Sequence, residues 1–232
     1  MMLTLTCLGS GSSGNCWILN HNGAYLIIDA GLPIKTIKRG VDYNLMGIKG
    51  ICVTHTHKDH SMAVDDLRKM GLKVFTPYES ENPPKKMGFP PFSVQIFPLP
   101  HNGVDCYGFL IKVEDHKILY MTDFEYCKYS FQKTMPDTMI VECNYQDKFL
   151  NVDAENLEHK VIGHCELETC KEFVKTNATD ALKTVILTHL GVGTCDGNEC
   201  VSEIQKVVKT DVSVDYARAN ESYKLDSIGK GE

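Results

Sequence analysis

The sequence lacks the features that would mark several other classes of protein. No run of apolar residues approaches the ~20 needed to span a bilayer, so no membrane-embedded part is expected. There is no excess of positive charge: 24 Lys and Arg stand against 30 Asp and Glu, a formal net charge of −6. Proteins that grip long nucleic acid through many phosphates usually carry a positive balance or a concentrated basic face. Only short basic clusters occur, at Lys35/Lys38/Arg39, Arg68/Lys69 and Lys85/Lys86, and these read as solvated faces. No Cys-x-x-Cys is present, and a chain of 232 residues with ten cysteines is too long for a small disulfide scaffold. The closest cysteine spacings are Cys165/Cys170 and Cys195/Cys200; such residues read as small, buried and reduced. The opening MMLTLTCLGSGSS has neither the charged nor the apolar region of a signal peptide. A cytoplasmic location in a reducing compartment is the expectation. No repeat, low-complexity tract or convincing linker interrupts the chain. The proline-rich stretch Asn82 to Pro91 reads as a loop.

What is present fits one domain or two small ones. Hydrophobic residues make up 43% of the chain, enough for a full core. Short apolar or alternating runs at Leu3–Leu8, Cys16–Leu19 and Ala24–Ile28 read as strands, broken by the glycine-rich loop Gly9 to Gly14. A short helix runs from Pro33 to Gly40. Ile48–Val53 is a buried strand, and Ser61 reads as the cap of a helix ending before Gly71. Further strands are expected at Lys73–Phe75, Phe92–Phe97, Tyr107–Val113, Lys117–Met121 and Thr138–Val141, with a hairpin at Glu114-Asp115-His116. The end of the chain alternates: helix Glu166–Lys175, strand Thr184–Thr188, helix Asn198–Lys209, strand Asp211–Asp215. Strand runs with helices between them, in both halves, fit an α/β arrangement of two sheets with helices outside.

The strongest chemical signal is Thr54-His55-Thr56-His57-Lys58-Asp59-His60. At this composition a chance His-x-His-x-Asp-His is on the order of one in a thousand. The segment follows a strand. In extended backbone, residues two apart share a face, so His55 and His57 can address one ion. The turn into the next helix brings Asp59 and His60 to a second position. Neutral imidazoles with a carboxylate suit Zn²⁺, and Mn²⁺ or Fe accepts the same donors. The remaining candidates also follow expected strands. His101 comes after Phe92–Phe97, Asp123 after Met121, His189 after Thr184–Thr188, and His164 after Lys160–Gly163. His21, His116 and His159 read as ordinary surface positions.

Taken together, Gly9–Asn15 with Cys16, Asp29-Ala30-Gly31, Thr54–His60, His101, Thr122-Asp123, Glu142-Cys143-Asn144, Gly163-His164 and Thr188-His189-Leu190 resemble the metallo-β-lactamase-fold hydrolases. The resemblance is strongest to the YycJ (WalJ) branch, with RNase Z more distant. It implies a single αββα sandwich domain over 1–232 without a β-CASP insertion. It implies two divalent metal ions. One is held by His55, His57 and His101, the other by Asp59, His60 and His189, with Asp123 bridging. Asp29 would orient a ligand from behind. His164 takes the position of the relatives' non-ligand histidine, which contacts the scissile phosphate and can protonate the leaving group. Two ions about 3.5–4 Å apart would share a water and make hydroxide available near neutral pH, with Asp59 holding it.

The sequence also departs from the relatives. They usually place Ser or Thr soon after the His164 and His189 equivalents; here Cys165-Glu166 and Leu190-Gly191 follow. Glu166 either repels a polyanion or serves as a first-turn helix carboxylate. True β-lactamases of this fold lack the equivalent of His60. Bacterial RNase Z carries a tRNA-gripping arm between the His101 and Asp123 equivalents, where only 21 residues stand here. The expectation is a metal-dependent phosphodiesterase or nuclease acting on DNA or RNA. A phosphodiesterase for small cyclic nucleotides, another ester or thioester hydrolase, and a metal-binding module without catalysis stay open. The resemblance leaves a homodimer open as well.

Overall fold

The computed structural model describes residues 3–150 and 162–225. The chain forms two compact units. One comprises residues up to 96 together with 111–116 and those from 218, the other 97–110 and 117–217. Among the described residues there are two sheets, both mixed. The six-stranded sheet runs β13(Glu221–Leu225)–β1(Leu3–Gly9)–β2(Cys16–His21)–β3(Ala24–Ile28)–β4(Ile48–Cys52)–β5(Val74–Phe75). The seven-stranded sheet runs β12(Ser213–Tyr216)–β11(Thr184–Thr188)–β10(Thr138–Glu142)–β9(His116–Met121)–β8(Cys106–Val113)–β7(Phe92–Leu99)–β6(Lys86–Phe89).

In the first unit β1, β2 and β3 form an antiparallel meander, and β3, β4 and β5 then pair in parallel. The start of β1 alternates buried and half-buried positions, the pattern of a strand with one covered face. Its core gathers Ile18, Ile27, Ile37, Ile51, Val53 and Leu67. In the second unit β9, β10, β11 and β12 are all parallel neighbours. Every residue of the interior strand β10, TMIVE, is buried, as expected of a parallel strand covered on both faces. The helix Leu167–Asn177 buries Leu167, Cys170, Phe173, Val174 and Asn177, a stripe at helical spacing that faces the core.

Several local expectations need correction. Ser61 does not start a helix. It ends the short turn Lys58–Ser61, where its hydroxyl donates to the carbonyls of Thr56 and His57, and a separate helix follows at Val64–Lys69. A polar residue just before an apolar periodic run looks the same in either role. Within the proline-rich Asn82 to Pro91, residues Lys86–Phe89 pair antiparallel with β7. The expected helix Asn198–Lys209 spans Gly197–Gln205, and the strand β13 was not expected. His116 is buried at the start of β9, and His21 is partly covered and paired with Glu114. His159 lies outside the described residues. Of the stretch Lys160–Gly163, the described Ile162 and Gly163 form a turn, not a strand.

Candidate metal centre

Within the first unit, the parallel strands β3 and β4 end side by side, Ile28 opposite Cys52. Asp29 follows β3 directly and adopts the left-handed region, φ 59°, a conformation that Asp tolerates better than most residues. Its fully buried carboxylate is used at both oxygens. Oδ1 accepts from the Thr54 backbone N–H at 2.8 Å and from the Thr54 hydroxyl at 2.9 Å. Oδ2 lies 2.9 Å from His60 Nδ1. Because Thr54 Oγ1 spends its only proton on Asp29, it acts as acceptor toward His55 Nδ1, 3.0 Å away. Nδ1 of both histidines therefore carries the proton, and Nε2 carries the lone pair. The His55 ring lies edge-on to His57, centroids 4.7 Å apart, and 4.2 Å from the His60 ring. His55 and His60 are buried, Asp59 is partly covered and His57 is exposed.

The glycine-rich loop and Asp29-Ala30-Gly31 brace this turn through backbone contacts. Asn15 N–H donates to Asp59 C=O at 2.7 Å, Ala30 N–H to His60 C=O at 2.7 Å, and Gly31 N–H to Asn15 C=O at 2.9 Å. A Cβ on Gly31 would stand 1.5 Å from the Asp59 carbonyl oxygen, so only glycine permits this approach. The Asn15 amide reaches His60 Nε2 at 2.8 Å and Asp59 Oδ2 at 3.4 Å. A cation on those atoms would displace it.

Within the second unit, three adjacent parallel strands deliver acidic and imidazole groups at their C-terminal ends, where open α/β sheets bind ligands. Asp123 follows β9, Glu142 closes β10 and His189 follows β11. Asp123 (φ 51°) and His189 (φ 54°) both leave their strands through the left-handed region, as Asp29 does. Glu142 Oε1 lies 3.0 Å from His189 Nδ1 and 2.7 Å from His164 Nδ1. Its Oε2 accepts from Phe124 N–H at 2.9 Å. Burial pushes the Glu142 carboxyl up, but the bonds from His164 and His189 outweigh it and hold it below the usual carboxylate range. Burial opposes charge on His164, and the same Glu142 contact outweighs that, raising its pKa. His164 stacks on His189 with centroids 5.2 Å apart and meets His101 edge-on at 5.6 Å. His101 Nδ1 donates to Gly163 C=O at 2.7 Å, and its Nε2 is 3.9 Å from Asp123 Oδ2. The Thr122 hydroxyl donates to Asp123 Oδ1 at 2.8 Å. Asp123, Glu142, His164 and His189 bring one donor atom each within 4.8 Å of one another, a candidate metal site in its own right.

The sequence-predicted residues thus fall into two gathered sets: His55, His57, Asp59 and His60 with Asp29 in the first unit, and His101, Asp123, His164 and His189 in the second. Glu142 had no assigned role in the sequence, although it holds two of these histidines. The available signal was its place: a lone carboxylate closing the apolar run Met139–Val141, much as Asp29 follows the run of β3. Glu166 is settled as the N-cap of Leu167–Asn177, accepting from the Glu168 and Thr169 N–H groups. Only β8 and β9 stand between His101 and Asp123, with no arm.

Residues 9–71 match the model of the metallo-beta-lactamase superfamily. With the two mixed sheets, their helices and the His/Asp donors at strand ends, this defines the class: residues 9–71 resemble that superfamily, the fold is its α/β sandwich, and the chain is a metal-dependent hydrolase. It is similar to the exodeoxyribonuclease YycJ of Bacillus anthracis, 22% identical over 221 residues that cover 83% of this chain and 84% of the relative. Among solved structures it is similar to the metallo-beta-lactamase fold protein YhfI from Bacillus subtilis, with TM-score 0.75 and 17% identity, covering 97% of this chain and 100% of that one. The short form of human tRNase Z matches with TM-score 0.56 and 15% identity, over 95% of this chain and 98% of that one. At these identities the structural likenesses establish the fold. No helix among the described residues is long and apolar enough to cross a membrane.

Proposed function

We propose that the chain, acting as one metallo-β-lactamase-fold domain, is a two-metal phosphodiesterase that cleaves nucleic acid, with DNA the first substrate to try. His55, His57 and His101 would hold one divalent cation; Asp59, His60 and His189 the other, with Asp123 serving both. The observation that carries this reading is the anchoring of Nδ1 in four histidines: His55 on Thr54, His60 on Asp29, His101 on the Gly163 carbonyl and His189 on Glu142. Carboxylate, hydroxyl and carbonyl partners of this kind fix the tautomer and orientation of metal-binding imidazoles. The donor set of imidazole and carboxylate suits Zn²⁺, and Mn²⁺ or Fe as well.

When bound, two such cations supply Lewis-acid activation of water and neutralise charge on the phosphate. The chain's own residues do the rest. Asp59, partly exposed beside His60, receives the proton of the attacking water. His164, its Nδ1 engaged by Glu142 and its pKa raised, presents Nε2–H to the departing oxygen. Asp29 and Glu142 keep the imidazoles aimed. The exodeoxyribonuclease relative favours DNA over a small cyclic nucleotide. The test is hydrolysis of a generic phosphodiester, of single- and double-stranded DNA and of cyclic mononucleotides, with zinc or manganese supplied. Turnover of DNA that is lost in Asp59→Ala supports the reading. Cleavage that persists in Asp59→Ala contradicts it.

A further inference from the structure

Three cysteines from two distant parts of the sequence are gathered in the second unit. Cys143 follows β10 directly, Cys195 stands just before the helix Gly197–Gln205, and Cys200 lies inside that helix. The sulfurs of Cys143, Cys195 and Cys200 all lie within 4.8 Å of one another. Cys195 Sγ and Cys200 Sγ are 3.2 Å apart, and Cys195 Sγ donates to the Cys143 carbonyl at 3.5 Å. Cys170 is buried in the same core cluster but is not one of these three gathered sulfurs. Small apolar packing explains a single buried cysteine. It gives no reason for three strand-end and helix positions to turn their sulfurs to one point.

We propose that Cys143, Cys195 and Cys200 form a structural site for a soft divalent cation of the zinc class, separate from the His/Asp residues, with the fourth position taken by a water. A tetrahedral zinc–thiolate site has metal–sulfur bonds of about 2.3 Å, which sets neighbouring sulfurs about 3.8 Å apart. The observed cluster is within reach of that spacing. A set of three sulfurs selects zinc over hard cations such as magnesium or calcium. Each ligating thiol releases its proton to solvent on binding, leaving three thiolates around one divalent ion. Cys195 is only partly buried, which gives the ion an entry side. Once bound, the ion ties the end of β10 to the helix Gly197–Gln205. A Cys195–Cys200 disulfide is the competing use of these sulfurs. It needs an external oxidant and leaves Cys143 outside it.

The test is a cadmium titration of the full chain, purified reduced and stripped of metal, following the ultraviolet thiolate-to-cadmium charge-transfer band. The His/Asp residues contain no sulfur and cannot produce this band. The wild type and Asp123→Asn should both develop it and saturate at one thiolate-bound cadmium per chain. Cys195→Ser should weaken binding at least tenfold, and Cys195→Ser/Cys200→Ser should abolish the band. Circular dichroism identifies any variant that fails to fold; the wild type and Asp123→Asn then decide alone. A folded wild type without the band, a band unchanged in both cysteine variants, or a Cys195–Cys200 disulfide found by mass in the reduced preparation would overturn the proposal.

Discussion

The Oδ2 of Asp29 lies 2.9 Å from Nδ1 of His60, and neither side chain has any solvent exposure. An acid–imidazole pair sealed this fully fixes which imidazole nitrogen is protonated, and with it the direction of the other. Asp29→Asn keeps the shape of the side chain and removes the charge. It should weaken metal binding at the His60 site by roughly 10–100-fold, measured by competition with a chromophoric chelator. Affinity equal to wild type in a folded variant would remove Asp29 from the site.

Gly31 tests the packing beneath the motif. A methyl there meets the Asp59 carbonyl at 1.5 Å, and backbone cannot rotate away as a side chain can. Gly31→Ala should destabilise the protein by about 3 kcal/mol, the upper end of overpacking costs, and reduce metal content with it. Gly88→Ala, where nothing lies within 4 Å of the added atom, is the control and should change stability little. Urea unfolding of both variants gives the comparison.

Glu142 and His164 should act as one unit. Glu142 touches both His164 and His189, so Glu142→Gln should lower kcat on a phosphodiester at least as much as His164→Ala. The double variant should be little worse than Glu142→Gln alone, the non-additivity expected of residues in one hydrogen-bond network. Two effects that simply multiply would show that His164 works without Glu142.

If the substrate is DNA, apparent affinity should fall with salt, since each phosphate contact releases counterions. Hydrolysis of a small phosphodiester should be nearly indifferent to salt over the same range. The net charge of −6 makes few phosphate contacts the expectation and a shallow slope for DNA the consistent result. A DNA rate that does not respond to salt at all would argue against strand binding.

Much of this was legible because both units place chemistry directly after apolar strands. His55, His101, Asp123 and His189 announce themselves as polar residues ending hydrophobic runs. Glu142 ends such a run too, but which groups it holds depends on β10 lying in parallel register with β9 and β11, and pairing register is not written in one strand. The burial of His116 and the pairing of Lys86–Phe89 are likewise set by partner strands. The cysteine gathering was invisible for the same reason: 143, 195 and 200 meet only after the helix Gly197–Gln205 has docked. Ser61 misled because a cap and a turn-closing serine share the same local sequence.

The most direct test of the whole account is the metal content of wild type and Asp123→Asn after identical zinc or manganese loading, read together with phosphodiester hydrolysis. The variant should lose the ions held by the histidine and aspartate residues and lose hydrolysis with them. Equal metal content and equal hydrolysis in the two proteins would contradict it.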